Sequence, residues 1–268
     1  MTSAPFHKNL QCSSYDLEYC QWSNLPDDDW AVQDDNPWTI GEFVWTGFDY
    51  LGEPTPYDHH WPSRSSYFGI FDLAGIPKDR YWLYRSRWNE KEHTCHILPH
   101  WTWPGREGKT TPVYCYTDGC EAELFVNGKS QGRRRKDPSS RLDRYRLRWN
   151  DVVYEPGEIK VVAYGEDGKA IGESTVRTAG RAAGVKVEKR RFGKLLFAEA
   201  TVVDKDGNRV PSFDGTLKVE AAGGLRFKAI CNGDATSLES FTVPAMKAFH
   251  GKLVAVFEGE GESVKVSF

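Results

Sequence analysis

Glu158-Ile-Lys-Val-Val-Ala-Tyr164, Gly165-Glu-Asp-Gly168 and Lys169-Ala-Ile-Gly-Glu-Ser-Thr-Val-Arg-Thr-Ala179 follow one another without interruption. In the first run Ile159, Val161 and Ala163 fall on one face of an extended chain, because successive side chains of a strand point to opposite sides. The Gly-Glu-Asp-Gly stretch has turn chemistry, so the third run reads as the partner strand of a hairpin. Upstream, Pro112–Thr117 and Ala122–Val126 read as short strands, and Asn127-Gly128 closes the second with a tight hairpin turn. A further run ends at Trp149, with Tyr145, Leu147 and Trp149 on one face and Leu142, Arg144, Arg146 and Arg148 on the other. Strands at this spacing, separated by Gly, Asn and Asp turns, predict a β-sandwich over residues 94–182.

Downstream the same grammar repeats. Gly184–Glu188, Leu195–Val203, Gly215–Glu220, Phe227–Ile230, Lys252–Phe257 and the closing Ser263-Val-Lys-Val-Ser-Phe268 alternate without a helical period. A second, immunoglobulin-like sandwich is therefore expected over 183–268. The small-residue stretch Thr178-Ala-Gly-Arg-Ala-Ala-Gly184 reads as the linker between the two.

Composition sets the first part of the chain apart. The 268 residues are 39% hydrophobic and 27% charged with net charge −3, an ordinary globular balance. Nine of the ten tryptophans nevertheless precede residue 104. Up to Ser63 there are eleven Asp or Glu and a single basic residue, Lys8, so the remainder is net basic. No run reaches the 18 or so apolar residues that would cross a bilayer, and the opening Met-Thr-Ser-Ala-Pro-Phe-His-Lys contains no apolar stretch of signal-peptide length. The six cysteines contain no Cys-x-x-Cys pair, so they read as small core residues, with no metal site and no cofactor expected.

Within residues 1–93, Glu42-Phe-Val-Trp-Thr-Gly-Phe-Asp-Tyr-Leu51 is apolar on both faces, as in a strand buried on two sides. Gly75–Trp88 reads as a helix, with Pro77 in its first turn and Tyr81, Tyr84, Arg85 and Trp88 recurring at three and four. One strand, loop and helix are visible here, after about forty residues read as irregular. A parallel (β/α)8 barrel needs eight such units.

These residues carry a resemblance. Phe43-Val-Trp-Thr-Gly-Phe-Asp-Tyr-Leu-Gly-Glu-Pro-Thr-Pro-Tyr57 and Ser65-Ser-Tyr-Phe-Gly-Ile-Phe-Asp-Leu-Ala-Gly-Ile-Pro-Lys-Asp79 are similar to the last strand and helix of the catalytic barrel in family 2 glycoside hydrolases, in the β-galactosidase-like enzymes of gut Bacteroidetes. Leu98-Pro-His-Trp-Thr-Trp-Pro-Gly-Arg106, Ala122–Ser130 and Asp151–Tyr164 resemble the small sandwich that follows that barrel. Asp204–Pro211 and Asn232–Ser240 resemble the terminal immunoglobulin-like module. The resemblance implies a mainly β chain: residues 1–93 as the last β-α unit of a (β/α)8 barrel, then two immunoglobulin-like β-sandwich domains at 94–182 and 183–268.

It also implies a chemistry. The family hydrolyses β-glycosides with retention, using two glutamates about 5 Å apart, one as acid/base in an Asn-Glu pair and one as nucleophile. Neither motif is found here, since Asn89-Glu90 follows the helix and Glu42 and Glu53 sit eleven residues apart along an extended stretch. No catalytic residue is therefore assigned, and the chain is expected to be inactive by itself.

Trp45 matches the aromatic lining of the sugar subsite, where a flat ring packs on a pyranose; read without the family it would be a barrel-core aromatic. Asp49 matches an acidic rim position, with a structural and a substrate-binding reading both open, and Glu53 and His59-His60 are weaker candidates on the following loop. Trp101 and Trp103, with His100 and Arg106, are either an exposed sugar platform or packing at the junction between barrel segment and sandwich. Arg133-Arg-Arg-Lys136 with Arg141, Arg144, Arg146 and Arg148 has the composition of a nucleic-acid site, but its alternation predicts a solvated face, so no nucleic-acid partner is expected. The expected partners are a β-galactoside or oligosaccharide in the parent enzyme, and either the missing barrel portion or a second copy in a homo-dimer. The alternative is a non-catalytic carbohydrate-binding or interaction module.

Overall fold

A computed structural model of the chain describes residues 15–19, 22–55, 57 and 63–268. Contacts divide the chain into two compact units, one formed by 1–45 with 77–178 and the other by 46–76 with 179–268.

The first unit contains helices α1 (Pro26–Asp35) and α2 (Asp79–Trp88) and strands β1 (Cys95–Leu98), β2 (Val113–Thr117), β3 (Glu121–Val126), β4 (Lys129–Arg135), β5 (Leu147–Trp149), β6 (Glu158–Tyr164) and β7 (Ala170–Arg177). They form one sheet of order β1-β2-β5 and another of order β4-β3-β6-β7, all antiparallel. Asn127 and Gly128 both have positive φ (49° and 78°), the backbone that a two-residue hairpin between right-twisted strands demands. Alternation decides the core: Ala122, Leu124 and Val126 of β3 and Ile159, Val161 and Ala163 of β6 turn inward against Val113, Cys115, Leu147 and Trp149 of the other sheet. At about 25 cal/mol per Å² of apolar surface, this shared core is the main stabilising term of the unit.

The second unit contains β8 (Gly184–Phe192), β9 (Leu195–Val203), β10 (Thr216–Ala221), β11 (Arg226–Cys231), β12 (Ala245–Lys247), β13 (Lys252–Glu258) and β14 (Val264–Ser267). Their sheets run β11-β13-β9-β8 and β12-β10-β14, again antiparallel. Leu196, Ala198, Ala200 and Val202 of β9 meet Leu217, Val219 and Met246 in a second core. Both units are thus β-sandwiches, and the chain is mainly β.

Three local expectations are corrected. Residues 42–51 form no strand; among the described residues their sheet-like pairings are two isolated bridges, Phe48 with Phe71 and Leu51 with Ser65. The apolar side chains of this stretch accordingly lie outside a sheet, with Phe43 fully exposed and Phe48 more than half exposed. The stretch read as irregular contains α1. Its signals were present: Pro26 in the first turn, followed by Asp27, Asp28 and Asp29, which complement the positive helix N-terminus. What hid it is that it has almost no apolar stripe and buries Trp30 beside a carboxylate, Asp27. Helix α2 begins at Asp79 rather than around Pro77, because the Asp72 carboxylate accepts hydrogen bonds from the amides of Ala74 and Ile76 and holds a turn there.

Candidate functional site

Trp45 belongs to the first unit and is 73% exposed, at the end of a stretch in which Trp38, Ile40 and Phe43 are also exposed. An exposed run of large apolar side chains this dense is uncommon on a self-contained domain and marks a surface for ligand or protein. Asp49 and Glu53 belong to the second unit. Asp49 is buried, and its Oδ1 accepts the amide of Gly69 at 2.8 Å while its own amide donates to the Phe71 carbonyl at 3.0 Å. Gly69 must be a glycine for this to work: a Cβ there would lie 2.1 Å from the Asp49 amide nitrogen. Asp49 therefore has a structural part, which is to hold the segment 46–51 against 65–71. Glu53 is exposed and accepts a hydrogen bond from the Tyr50 hydroxyl at 2.5 Å. His59 and His60 lie outside the described residues.

The 46–76 segment is anchored within its own unit. Arg64 donates to the Glu239 carbonyl at 2.7 Å and lies 4.5 Å over the Phe241 ring. Asp72 comes so near Gly233 that a Cβ on that glycine would stand 2.1 Å from its Oδ2. Cys231, next to this contact, is held above the ordinary thiol range, mainly by burial.

Trp101 is a core residue and not an exposed platform. Its ring is wholly buried, its Nε1 donates to the Glu155 carbonyl at 2.9 Å, and it packs edge-on against Tyr154. Trp103 stacks on His100 with ring centroids 4.0 Å apart and donates through Nε1 to the His100 carbonyl at 2.7 Å. Arg106 donates to the Thr110 carbonyl at 2.7 Å. These residues pin the loop before β2. The Leu98-Pro99 peptide just ahead of them is cis.

The basic stripe is a solvated face only in part: Arg133, Arg134, Arg135 and Arg141 are exposed, and Arg146 is not. Arg146 is fully buried and bonds to Asp27, which is also fully buried. Arg141 reaches Asp28 at 2.6 Å, Arg144 reaches Asp35 at 2.8 Å, and Arg87 of α2 reaches Asp34 at 2.6 Å. Arg148 pairs with Asp143 at 2.5 Å, and Arg133 lies between Glu121 and Glu123 at 3.4 and 3.3 Å. The acidic helix α1 thus pairs with Arg141, Arg144 and Arg146, of which it buries Arg146. Trp30 inserts at the same junction, edge-on to Tyr84 at 5.1 Å and to Tyr145 at 5.3 Å. Asp34 is held below the ordinary carboxylate range by hydrogen bonds from Arg87 and Tyr145, which outweigh its desolvation.

Residues 188–268 match the glycoside hydrolase family 2 C-terminal domain 5. The chain carries a family 2 glycoside hydrolase C-terminal domain. Residues 108–172 match a domain of unknown function, DUF4982. The chain is 42% identical over 262 residues to the β-galactosidase BoGH2A of Bacteroides ovatus, a match that spans 95% of the chain and 29% of that protein. It is 32% identical over 231 residues to a putative β-glucuronidase of Formosa agariphila, covering 83% of the chain and 22% of the relative. A β-glycosidase from Bacteroides vulgatus superposes with a TM-score of 0.84 at 33% identity, over 96% of this chain and 33% of that one. A family 2 member from Bacteroides cellulosilyticus superposes with a TM-score of 0.77 at 25% identity, over 90% of this chain and 36% of the other. The chain therefore spans less than a third of the length of these two curated relatives, a β-galactosidase and a putative β-glucuronidase.

Proposed function

We propose that this chain works as the C-terminal part of a retaining, β-galactosidase-like family 2 hydrolase and does not hydrolyse glycosides by itself. The observation that carries the reading is the 42% identity to a Bacteroides ovatus β-galactosidase along 95% of the chain, which accounts for only 29% of that protein. In this reading residues 1–93 are the end of the catalytic barrel, and 94–182 and 183–268 are accessory sandwiches. The acid/base and nucleophile glutamates belong to the rest of the barrel. Asn89-Glu90 supports this by its position at the C-terminal end of α2, where Asn89 caps the helix and Glu90 is exposed.

Trp45 then lines the sugar subsite, its exposed ring offering an apolar face to a pyranose. Asp49 acts as a positioning residue that fixes the 46–51 backbone through Gly69, and Glu53 steadies the following loop through Tyr50. The exposed Trp38, Ile40 and Phe43 are the surface on which the remaining barrel packs.

The test is assay of the purified chain on an aryl β-galactoside. No turnover is expected, and activity should appear when the chain is joined to the barrel encoded upstream of it. Turnover abolished by replacing one of the chain's own carboxylates would overturn the proposal. The exposure of Trp45 also favours a second reading, a self-standing carbohydrate-binding module. That reading requires galactosides to perturb the tryptophan fluorescence of the isolated chain, and Trp45→Ala to remove the effect.

A further inference from the structure

A cavity of about 420 Å³ opens where α1, α2 and the stretch between β4 and β5 meet, all within the first unit. Trp30, Asp34, Arg87, Lys136, Arg144 and Tyr145 line it. Its volume falls in the range of sites for small molecules.

The charges in this lining are unevenly answered. Arg87 grips Asp34 with two hydrogen bonds, at 3.2 and 2.6 Å, and the Tyr145 hydroxyl donates to the same carboxylate at 2.8 Å. Arg144 grips Asp35 with two more, at 3.0 and 2.8 Å. Lys136 differs. Its ammonium donates to the Thr117 carbonyl at 2.6 Å, and no carboxylate among the described residues forms an ion pair with it. An ammonium has three donors, of which the Thr117 carbonyl takes one. Asp118 attracts this ammonium only from beyond ion-pair distance, and an anion entering the cavity would relieve a partly buried cation so weakly answered. Trp30 and Tyr145 pack edge to face on each other, with centroids 5.3 Å apart, and form one wall.

We propose that this cavity binds a small oxyanion, a carboxylate, sulfate or phosphate group, on the Lys136 ammonium, with Arg144 in the same lining. The site lies apart from Trp45, Asp49 and Glu53 in sequence and role, and it does not depend on the catalytic reading. The oxyanion can come free or on an acidic sugar.

Calorimetric titration of the full chain at low ionic strength with galacturonate, galactose and inorganic sulfate separates these cases. Galacturonate is expected to bind at millimolar concentrations and neutral galactose not to, with binding weakening as salt is added. Tighter binding of galacturonate than of sulfate assigns the acidic sugar, and equal binding assigns the free oxyanion; both support the site. Lys136→Met should weaken the anion about tenfold, the loss of one charge-assisted hydrogen bond, while Lys136→Arg should retain it. If Lys136→Met does not fold by far-ultraviolet circular dichroism, Arg144→Gln, at a partly exposed position, decides instead and should weaken binding several-fold. Absence of binding by both anions, galactose binding as tightly as galacturonate, or affinity unchanged in the folded variants would overturn the proposal.

Discussion

Arg146 and Asp27, 119 positions apart in sequence, form an ion pair in which neither side chain has exposed surface. The guanidinium also lies 5.4 Å from the centre of the Tyr116 ring. This pair joins α1 to the first sandwich, and Arg141 with Asp28 and Arg144 with Asp35 extend the joint outward into solvent. The outer pairs are worth little individually, because water and salt screen them. The inner pair matters through what its breakage would leave, a buried charge without a counter-ion. Arg146→Met should therefore destabilise the first unit by about 3–5 kcal/mol, whereas adding Asp27→Leu to it should recover a large part of the loss. Urea unfolding followed by tryptophan fluorescence measures both, and a double variant no better than the single would contradict a charge-pair origin.

Trp101 and Trp45 should respond in opposite ways to truncation. Trp101 is wholly buried in the first core and bonds to Glu155, so Trp101→Ala should cost about 3–5 kcal/mol. Trp45 is largely exposed, and Trp45→Ala should change stability by less than about 0.5 kcal/mol. Thermal denaturation of both variants, together with hydrolysis by the barrel-joined enzyme carrying Trp45→Ala, separates a folding role from a sugar-contacting one. Activity unaltered by Trp45→Ala would remove Trp45 from the subsite.

Gly69→Ala tests whether Asp49 works as a backbone clamp. The added methyl would stand 2.1 Å from the Asp49 amide nitrogen and 2.3 Å from the Phe71 carbonyl oxygen, so the two segments must separate. A loss of about 1–3 kcal/mol is expected, with faster amide hydrogen exchange at Asp49 and Phe71. Gly47→Ala, where a Cβ meets nothing within 4 Å, is the matched control and should leave both exchange rates unchanged.

Asp204 makes the second unit sensitive to acid. Its carboxylate accepts the amides of Gly180, Asp206 and Asn208 and the Asn208 side chain, which lowers its pKa to about 2. The folded value lies below the model-peptide value of 3.8, so the folded state favours the ionised form. The resulting stabilisation is fully present above about pH 4 and is lost as pH falls from there toward 2. Asp204→Asn should lower stability at pH 7 by about 1–2 kcal/mol and flatten the pH dependence between 4 and 2, read from urea midpoints of the second unit across that range. A variant as pH-sensitive as the parent chain would place the acid response elsewhere.

The hairpins were legible because their determinants are local. Asn127-Gly128 needs positive φ at both positions, and the alternation of Ile159, Val161 and Ala163 needs only a period of two. Of the candidate site, the sequence named Trp45 but did not decide between a barrel-core and a surface position for it, and the ring is exposed. Asp49 was legible only as a charged residue near a rim, since its partner Gly69 is twenty positions away and invisible to any local pattern. Trp101 and Trp103 were ambiguous because an aromatic pair in a Pro- and Gly-containing loop suits either a surface or a core, and the contacts to Glu155, Tyr154 and His100 decide between them.

By itself, then, the sequence determined the mainly β character, the two sandwiches and the likeness to family 2 glycoside hydrolases, all of which rest on short-range periodicity, turn chemistry and residue strings. Only the tertiary structure decided where the charges go. An alternating row of arginines has the same pattern whether it faces water or carboxylates. The free energy that separates those cases comes from desolvation and pairing with Asp27, Asp28 and Asp35, more than a hundred positions upstream. In the folded first unit, Asp27, Asp28, Asp34 and Asp35 of the acidic start meet Arg87, Arg141, Arg144 and Arg146 of the basic continuation across one joint.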